Sequence, residues 1–376
     1  MTSAYVPGLA GVPASRSKIG LIDGQAGKLY VRGYPIETLA AESTFEEVSF
    51  LLLRGALPTA TELSDFVAEL RNHRRLKFRI IELIKALPEG GHPMDALAAT
   101  MSATGMFYPS SIMADPDKRW GAAVRILTKV PTMVAAYHRI RNGDEPVTPR
   151  DDLGHAANLL YMLTEKEPDA LAVKIMDVAL ILHAEHGMNA STFAARVTGS
   201  TLADPYAVIS AAIATLAGPL HGGANEDVLD LLRSLPAGGA RAFAESAIAE
   251  KRKVPGFGHR VYKVKDPRAK ILQKLAGELF VQSGKTPLFE LAQSLEQAME
   301  ELVGQKGIYP NVDFYSGIVY EKMGIPTDLF TPIFAVARSA GWLAHWLEQL
   351  EQNRIFRPSQ IYEGDRDLAY VPIDRR

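Results

Sequence analysis

Residues 169–198 read DALAVKIMDVALILHAEHGMNASTFAARVT, with apolar side chains recurring at three- and four-residue spacing. That period lays an apolar stripe along a helix rather than along a strand. The stretches around it carry helix-start signals. Ser43 with Glu46, or Thr44 with Glu47, spells a capping box ahead of Val48, Phe50, Leu51 and Leu52, and Thr59 with Glu62 repeats the device. Asp204-Pro205 and Thr286-Pro287 each join an N-cap to a proline at the first helical position. Gly304 and Gly307 end the helix opened at Thr286, and Thr331-Pro332 opens another through Trp346. Strand signals are confined to residues 19–22 and 28–32, which pair as a small hairpin with Asp23-Gly24 in the turn. There is no strand–helix–strand alternation and no internal repeat, so the pattern predicts a mostly α protein.

The chain has 376 residues, 47% of them hydrophobic, which is enough for a large core and about two domains. A net charge of −2 gives no global field for nucleic acid or an anionic membrane. Cysteine is absent, which excludes disulfides, protein thiolate nucleophiles and sulfur-ligated zinc. The first fifteen residues lack the apolar run of a signal peptide, and the longest uncharged stretch, 205–225, is interrupted by Gly and Pro. A cytoplasmic protein with no membrane span is expected.

Three short segments carry the candidate chemistry. Gly218-Pro219-Leu220-His221-Gly222-Gly223 and Pro255-Gly256-Phe257-Gly258-His259 each set a histidine on irregular, glycine-rich backbone. Asn311-Val312-Asp313 places a carboxylate in a stretch that reads as a loop through Ser316. Two imidazoles and a carboxyl group suit general acid–base chemistry. Each also has a plainer reading: His221 as a buried loop histidine, and Asp313 as a helix cap. Between 251 and 270 eight Lys and Arg residues face only Asp266. Pro255, Gly256, Gly258 and Pro267 break any helix there, so the charges sit on shaped loops and suit a polyphosphate or carboxylate better than decoration. Lys251-Arg252-Lys253 resembles a nucleic-acid patch, but no basic stripe continues it.

Other motifs fail. Gly284-Lys285-Thr286 lacks the first glycine of a phosphate loop, Gly256-x-Gly258 lacks the third glycine of a dinucleotide fingerprint, and there is no Gly-x-Ser-x-Gly elbow. His183 and His186, three apart, would share a helix face, but neither zincin spacing fits, so one is read as a substrate donor and the other as a satisfied core histidine.

Taken in order, these blocks resemble the citrate synthase family in its shorter bacterial and archaeal form. The resemblance spans nearly the whole chain. It runs through Ile22-Asp23-Gly24, Arg32-Gly33-Tyr34-Pro35-Ile36, His183-Ala184-Glu185-His186 and Asn189-Ala190-Ser191-Thr192. It continues through Gly218 to Gly222, Gly256 to Tyr262, Asp266-Pro267-Arg268 and Asn311 to Gly317. It implies an all-α, two-domain fold with the cleft between a large domain (1–222 and 325–376) and a small one (223–324). It implies a homodimer, condensation of acetyl-CoA with oxaloacetate and water to citrate and CoA, and no metal or redox cofactor. The longer form's β-rich N-terminal extension has no counterpart, so NADH inhibition is not expected.

The residue roles follow from the resemblance. Asp313 is the base, and burial beside Phe314 would raise its proton affinity. His221 stabilises the enol as a neutral donor, its cationic form disfavoured by the helical pattern at 225–232. His259 is the acid on the oxaloacetate ketone. Arg268, Arg338, Arg357 and His186 bind oxaloacetate, with Arg357 donated across the dimer interface, although from its neighbours alone it reads as a surface arginine. Arg338 sits within an apolar helix, where a charge is costly unless a bound anion compensates it. CoA lies along Val254, Pro255, Gly256, Phe257 and Gly258, with Lys263, and Arg260 or Lys253, near its phosphates. Two alternatives stand beside this: a 2-methylcitrate synthase using propionyl-CoA, and a non-catalytic helical anion-binding protein.

Overall fold

The computed structural model describes residues 5–108, 113, 115–259 and 261–376. Among them are sixteen α-helices and one three-stranded sheet. The first helices are α1 (Ile36–Glu42), α2 (Phe45–Arg54), α3 (Ala60–His73), α4 (Phe78–Lys85), α5 (Pro93–Gly105) and α6 (Pro116–Arg141). Then come α7 (His155–Thr164), α8 (Ala170–Ala184), α9 (Ala190–Ser200), α10 (Pro205–Leu216) and α11 (Ala224–Ser234). The last are α12 (Ala240–Ala249), α13 (Pro267–Ser283), α14 (Pro287–Val303), α15 (Val312–Lys322) and α16 (Phe330–Glu351).

Local chemistry sets most helix starts as expected. Thr59 and Glu62 form a complete capping box on α3, and Thr44 caps α2 by accepting from the Glu47 N–H. Asp204 and Thr286 cap α10 and α14 ahead of their prolines, and Gly307 turns left-handed just after α14. The hairpin forms from β1 (Gly20–Asp23) and β2 (Lys28–Val31), with Asp23 opposite Lys28, and a short β3 (Tyr34–Pro35) adds to its edge.

The core is built around α16. Its residues from Phe330 to Trp346 are buried on every face, and it packs against α2, α6, α8, α9 and α10. A helix buried on every face has no solvent side and must be central. Helices α11 to α15 pack chiefly on one another, through α13 with α15, α12 with α14 and α11 with α15. Among the described residues no helix is long and apolar enough to cross a membrane.

The structure corrects three sequence expectations. The helical stretch at 169–198 is two helices, α8 and α9, interrupted at residues 185–189, where Glu185 is extended. His183 and His186 therefore do not share a helix face. Asn189 is the cause of the restart, since its side chain accepts from the Thr192 N–H and caps α9. Thr331 does not cap α16, which begins at Phe330. The Thr331 hydroxyl instead reaches the Gly222 carbonyl and Glu226. Finally, Asp313 is not in a loop: Asn311 caps α15 and puts Asp313 in its first turn.

Candidate active site

Helix ends and turns assemble the site. The turn joining α10 to α11 holds His221, the break between α8 and α9 holds His186, and the stretch before α13 holds His259. Asp313 begins α15, Arg268 begins α13 and Arg338 lies inside α16.

His221 is oriented by the start of α9. The first N–H groups of a helix lack intrahelical partners. Here the Ser191 N–H donates to His221 Nε2 at 3.2 Å, and Ser191 Oγ lies 2.8 Å from the same nitrogen. A backbone N–H can only donate, so Nε2 is an acceptor and the ring proton sits on Nδ1. Ser191 is itself fixed, with its Oγ 2.8 Å from Asn189 Oδ1 and accepting the Trp342 N–H at 3.0 Å. Burial foremost, then Arg338, lowers the His221 pKa to about 4. The expected neutral imidazole is present. The helix start that it meets belongs to α9 rather than α11, and burial is the larger cause.

His259 is fixed in the opposite sense. The backbone N–H groups of Val261 and Tyr262 donate to its Nδ1 at 3.0 and 3.1 Å, so its proton is on Nε2. Burial, then Arg268, brings its pKa down to about 4. Its ring centroid lies 5.2 Å from that of His186 and 4.7 Å from that of Tyr262. His186 Nε2 lies 3.3 Å from the Tyr262 hydroxyl, and burial followed by the charges of Arg268 and Arg338 holds His186 well below the ordinary histidine value.

Asp313 Oδ1 is buried with no hydrogen-bond partner. Burial raises its pKa to about 6, with Arg268 and Arg338 pulling the other way and Asp266 adding to the rise. The expected rise through burial thus holds in direction.

The two guanidinium groups differ. Arg268 is 3% exposed and presents Nε and Nη2 to the two oxygens of Asp266, at 3.1 and 2.7 Å. Burial alone would lower its pKa, but Asp266 reverses this and leaves it raised. Arg338, 1% exposed, donates from Nε to the His183 carbonyl at 2.6 Å and stands over the Phe334 ring. Burial lowers its pKa to about 10, opposed most by Glu185. Arg268 acts electrostatically on His186, His259 and Asp313, and Arg338 on His186, His221 and Asp313, so the two cations link the six residues.

The segment from Val254 to Gly258 is strapped to the start of α15. Asn311 N–H donates to the Gly256 carbonyl, Gly258 N–H to the Tyr309 carbonyl, and the Asn311 side-chain amide to the Gly258 carbonyl. Gly256 needs its left-handed φ of 76°, and a Cβ there would lie 2.6 Å from Val228 and 2.9 Å from Phe314. Val254 and Gly256 are buried, while Pro255 and Phe257 are half-buried. Lys263 is exposed, and its backbone N–H donates to the Gly24 carbonyl in the hairpin turn, while Lys253 is also exposed. Arg260 lies outside the described residues. Arg357 is exposed on the tail after α16, and among the described residues no hydrogen bond or ion pair joins it to the six.

Sequence reasoning missed Ser191, Tyr262 and Asp266. Each acts through a neighbour's geometry, and each was legible only as a member of a quoted block, without a role of its own. Chemically the arrangement offers a carboxylate with one buried, unpartnered oxygen, two neutral imidazoles each with one fixed N–H donor, and two buried cations. That set can take a proton from carbon, stabilise the oxygen that gains charge, and hold an anion.

A family model for the citrate synthase C-terminal domain matches residues 8–359. The chain is 58% identical to citrate synthase from Synechocystis sp., over 99% of this chain and 94% of that one. It is 46% identical to citrate synthase from Haloferax volcanii over the full length of both. Among solved structures, citrate synthase from Pyrobaculum aerophilum superposes with a TM-score of 0.94 at 44% identity, covering 98% of this chain and 95% of that one. The Thermoplasma acidophilum enzyme, described as a ternary complex with carboxymethyl coenzyme A and oxaloacetate, gives 0.92 at 32% identity, covering 97% of this chain and 98% of that one.

Proposed function

This chain belongs to the citrate synthase family, and from that premise we propose that it condenses acetyl-CoA with oxaloacetate and water to give citrate and CoA. Asp313 removes a proton from the acetyl methyl group. The methyl of a thioester is a very weak carbon acid, so the developing oxyanion must be met at the same moment. His221 meets it with Nδ1–H. His259 Nε2–H polarises the oxaloacetate ketone and delivers its proton to the alkoxide as the carbon–carbon bond forms. Water then cleaves the citryl thioester. His186, Arg268 and Arg338 hold the oxaloacetate carboxylates. CoA follows residues 254–258 with Lys263 at its phosphates.

The observation that carries this reading is the bare Oδ1 of Asp313, buried and raised to about 6, in the same neighbourhood as two histidines that burial keeps neutral and neighbouring N–H groups fix in tautomer. A structural aspartate would have a partner. The relatives named above carry the citrate synthase name, which does not favour the propionyl-CoA reading. The test is catalytic efficiency with the two acyl-CoA thioesters. Preference for propionyl-CoA would replace acetyl-CoA in the assignment. Release of CoA by neither would overturn catalysis altogether.

The division into 1–222 with 325–376, and 223–324, is part of the proposal, supported by the mutual packing of α11 to α15. So is a cytoplasmic homodimer in which Arg357 enters the other subunit's cleft. The tail after α16 supports the second, since Ile355, Ile361, Leu368 and Tyr370 are 58%, 61%, 76% and 81% exposed and offer apolar surface to a partner. A monomeric mass in solution with full activity would sink it.

A further inference from the structure

Glu185 stands in the break between α8 and α9, one residue before His186, and the reaction above makes no use of it. It is 1% exposed. The Gly187 N–H donates to its Oε1. His345 on α16 brings Nε2 to 3.1 and 3.2 Å from the two carboxylate oxygens. From the other side Arg196 on α9 directs Nε and Nη2 at His345 Nδ1, at 3.0 and 2.9 Å. A ring nitrogen that accepts from a guanidinium carries no proton, so the single N–H of His345 is Nε2–H, aimed at Glu185. Arg196 is anchored in turn by Gln349 and Glu348.

Two glycines leave room for the carboxylate. A Cβ on Gly20 would lie 2.8 Å from Oε1, and one on Gly341 would lie 2.8 Å from Oε2. Burial alone would push this carboxyl group up, and the N–H groups of His345 and Gly187 together with the charge of Arg338 oppose it. A buried charge persists only when compensated. The other side of that compensation is Arg338, for which Glu185 is the foremost opposing charge.

We propose that Glu185, locked by the His345–Arg196 relay, is a positioning residue for oxaloacetate. Through the Gly187 N–H it shapes the bend that presents His186, and that bend follows directly on the His183 carbonyl to which Arg338 donates. The inference rests on the reading that Arg338 and His186 grip oxaloacetate.

The test is steady-state kinetics with KM resolved for each substrate, in Glu185→Gln, His345→Leu, His345→Gln and Arg338→Leu. Glu185→Gln and His345→Leu should raise KM for oxaloacetate by about tenfold or more and leave KM for acetyl-CoA within about twofold. His345→Gln, whose amide can accept from Arg196 and donate to Glu185, should keep the oxaloacetate KM within about threefold of the parent. Equal rises in both KM values, or an unchanged oxaloacetate KM in Glu185→Gln and His345→Leu, overturn the proposal. If Glu185→Gln does not fold, the His345 pair decides, and equal oxaloacetate KM values in those two variants overturn it. A rise in Arg338→Leu without one in the others defeats this inference alone. No rise in Arg338→Leu defeats the underlying reading of the clamp.

Discussion

Lowering the pH should switch off proton abstraction at the pKa of Asp313 rather than at that of either histidine. The carboxyl is raised from 3.8 to about 6, chiefly by burial. That shift corresponds to about 3 kcal/mol in favour of the protonated acid and makes the carboxylate a correspondingly stronger base. His221 and His259 are both lowered to about 4, so they stay neutral while Asp313 titrates. At about pH 5 roughly one Asp313 in eleven is ionised, against more than nine in ten at about pH 7.5. The efficiency toward acetyl-CoA should therefore fall about tenfold over that interval, with a slope of one. The assay is loss of thioester absorbance, supported at higher pH by a thiol reagent, to which a protein without cysteine contributes no background. Asp313→Asn should still bind both substrates, yet lose about 10²–10⁴ in rate and all solvent exchange of the acetyl protons. An acidic limb centred near pH 4, or full exchange in Asp313→Asn, would refute the assignment of the base.

Three further outcomes follow from other contacts. Asp177 accepts from the Phe45 N–H at 3.2 Å and is raised to about 7, by burial first and Glu46 second. The folded state therefore holds a proton that the unfolded chain releases near pH 4, and stability is lost as pH rises from about 4 to about 7, by up to about 4 kcal/mol. Asp177→Asn, which keeps the acceptor, should raise Tm at about pH 8 and change it little at about pH 4. Calorimetry showing equal shifts at both pH values would sink this. Gly256→Ala should cost about 1–2 kcal/mol from the left-handed backbone and raise KM for acetyl-CoA as Phe314 is pushed aside, and an unchanged KM would detach this segment from CoA. Arg338→Leu should weaken oxaloacetate binding and blunt cleft closure in small-angle scattering, and closure equal to the parent's would defeat the link between clamp and closure.

Much of the fold could be read residue by residue. Capping at Thr59, Asp204 and Thr286, the hairpin across Asp23-Gly24 and the largely apolar run of α16 are local signals, because helix starts and turns are decided by side chains a few positions away. The candidate residues were legible as types on glycine-rich backbone and as an ordered set that resembled a family. The break at Glu185 was not legible, since the apolar period runs on through it and Asn189 reads as one more polar position. Nor was the helical setting of Asp313.

Only the tertiary structure decided the protonation of the site. That His221 carries its proton on Nδ1 depends on Ser191, thirty residues away in the chain, and that Glu185 is held by His345 depends on α16 crossing the end of α8 at Gly341. Periodicity and caps report interactions within one or two turns. Burial, tautomer and charge compensation are properties of space, set by which distant segments exclude water from the same few ångströms.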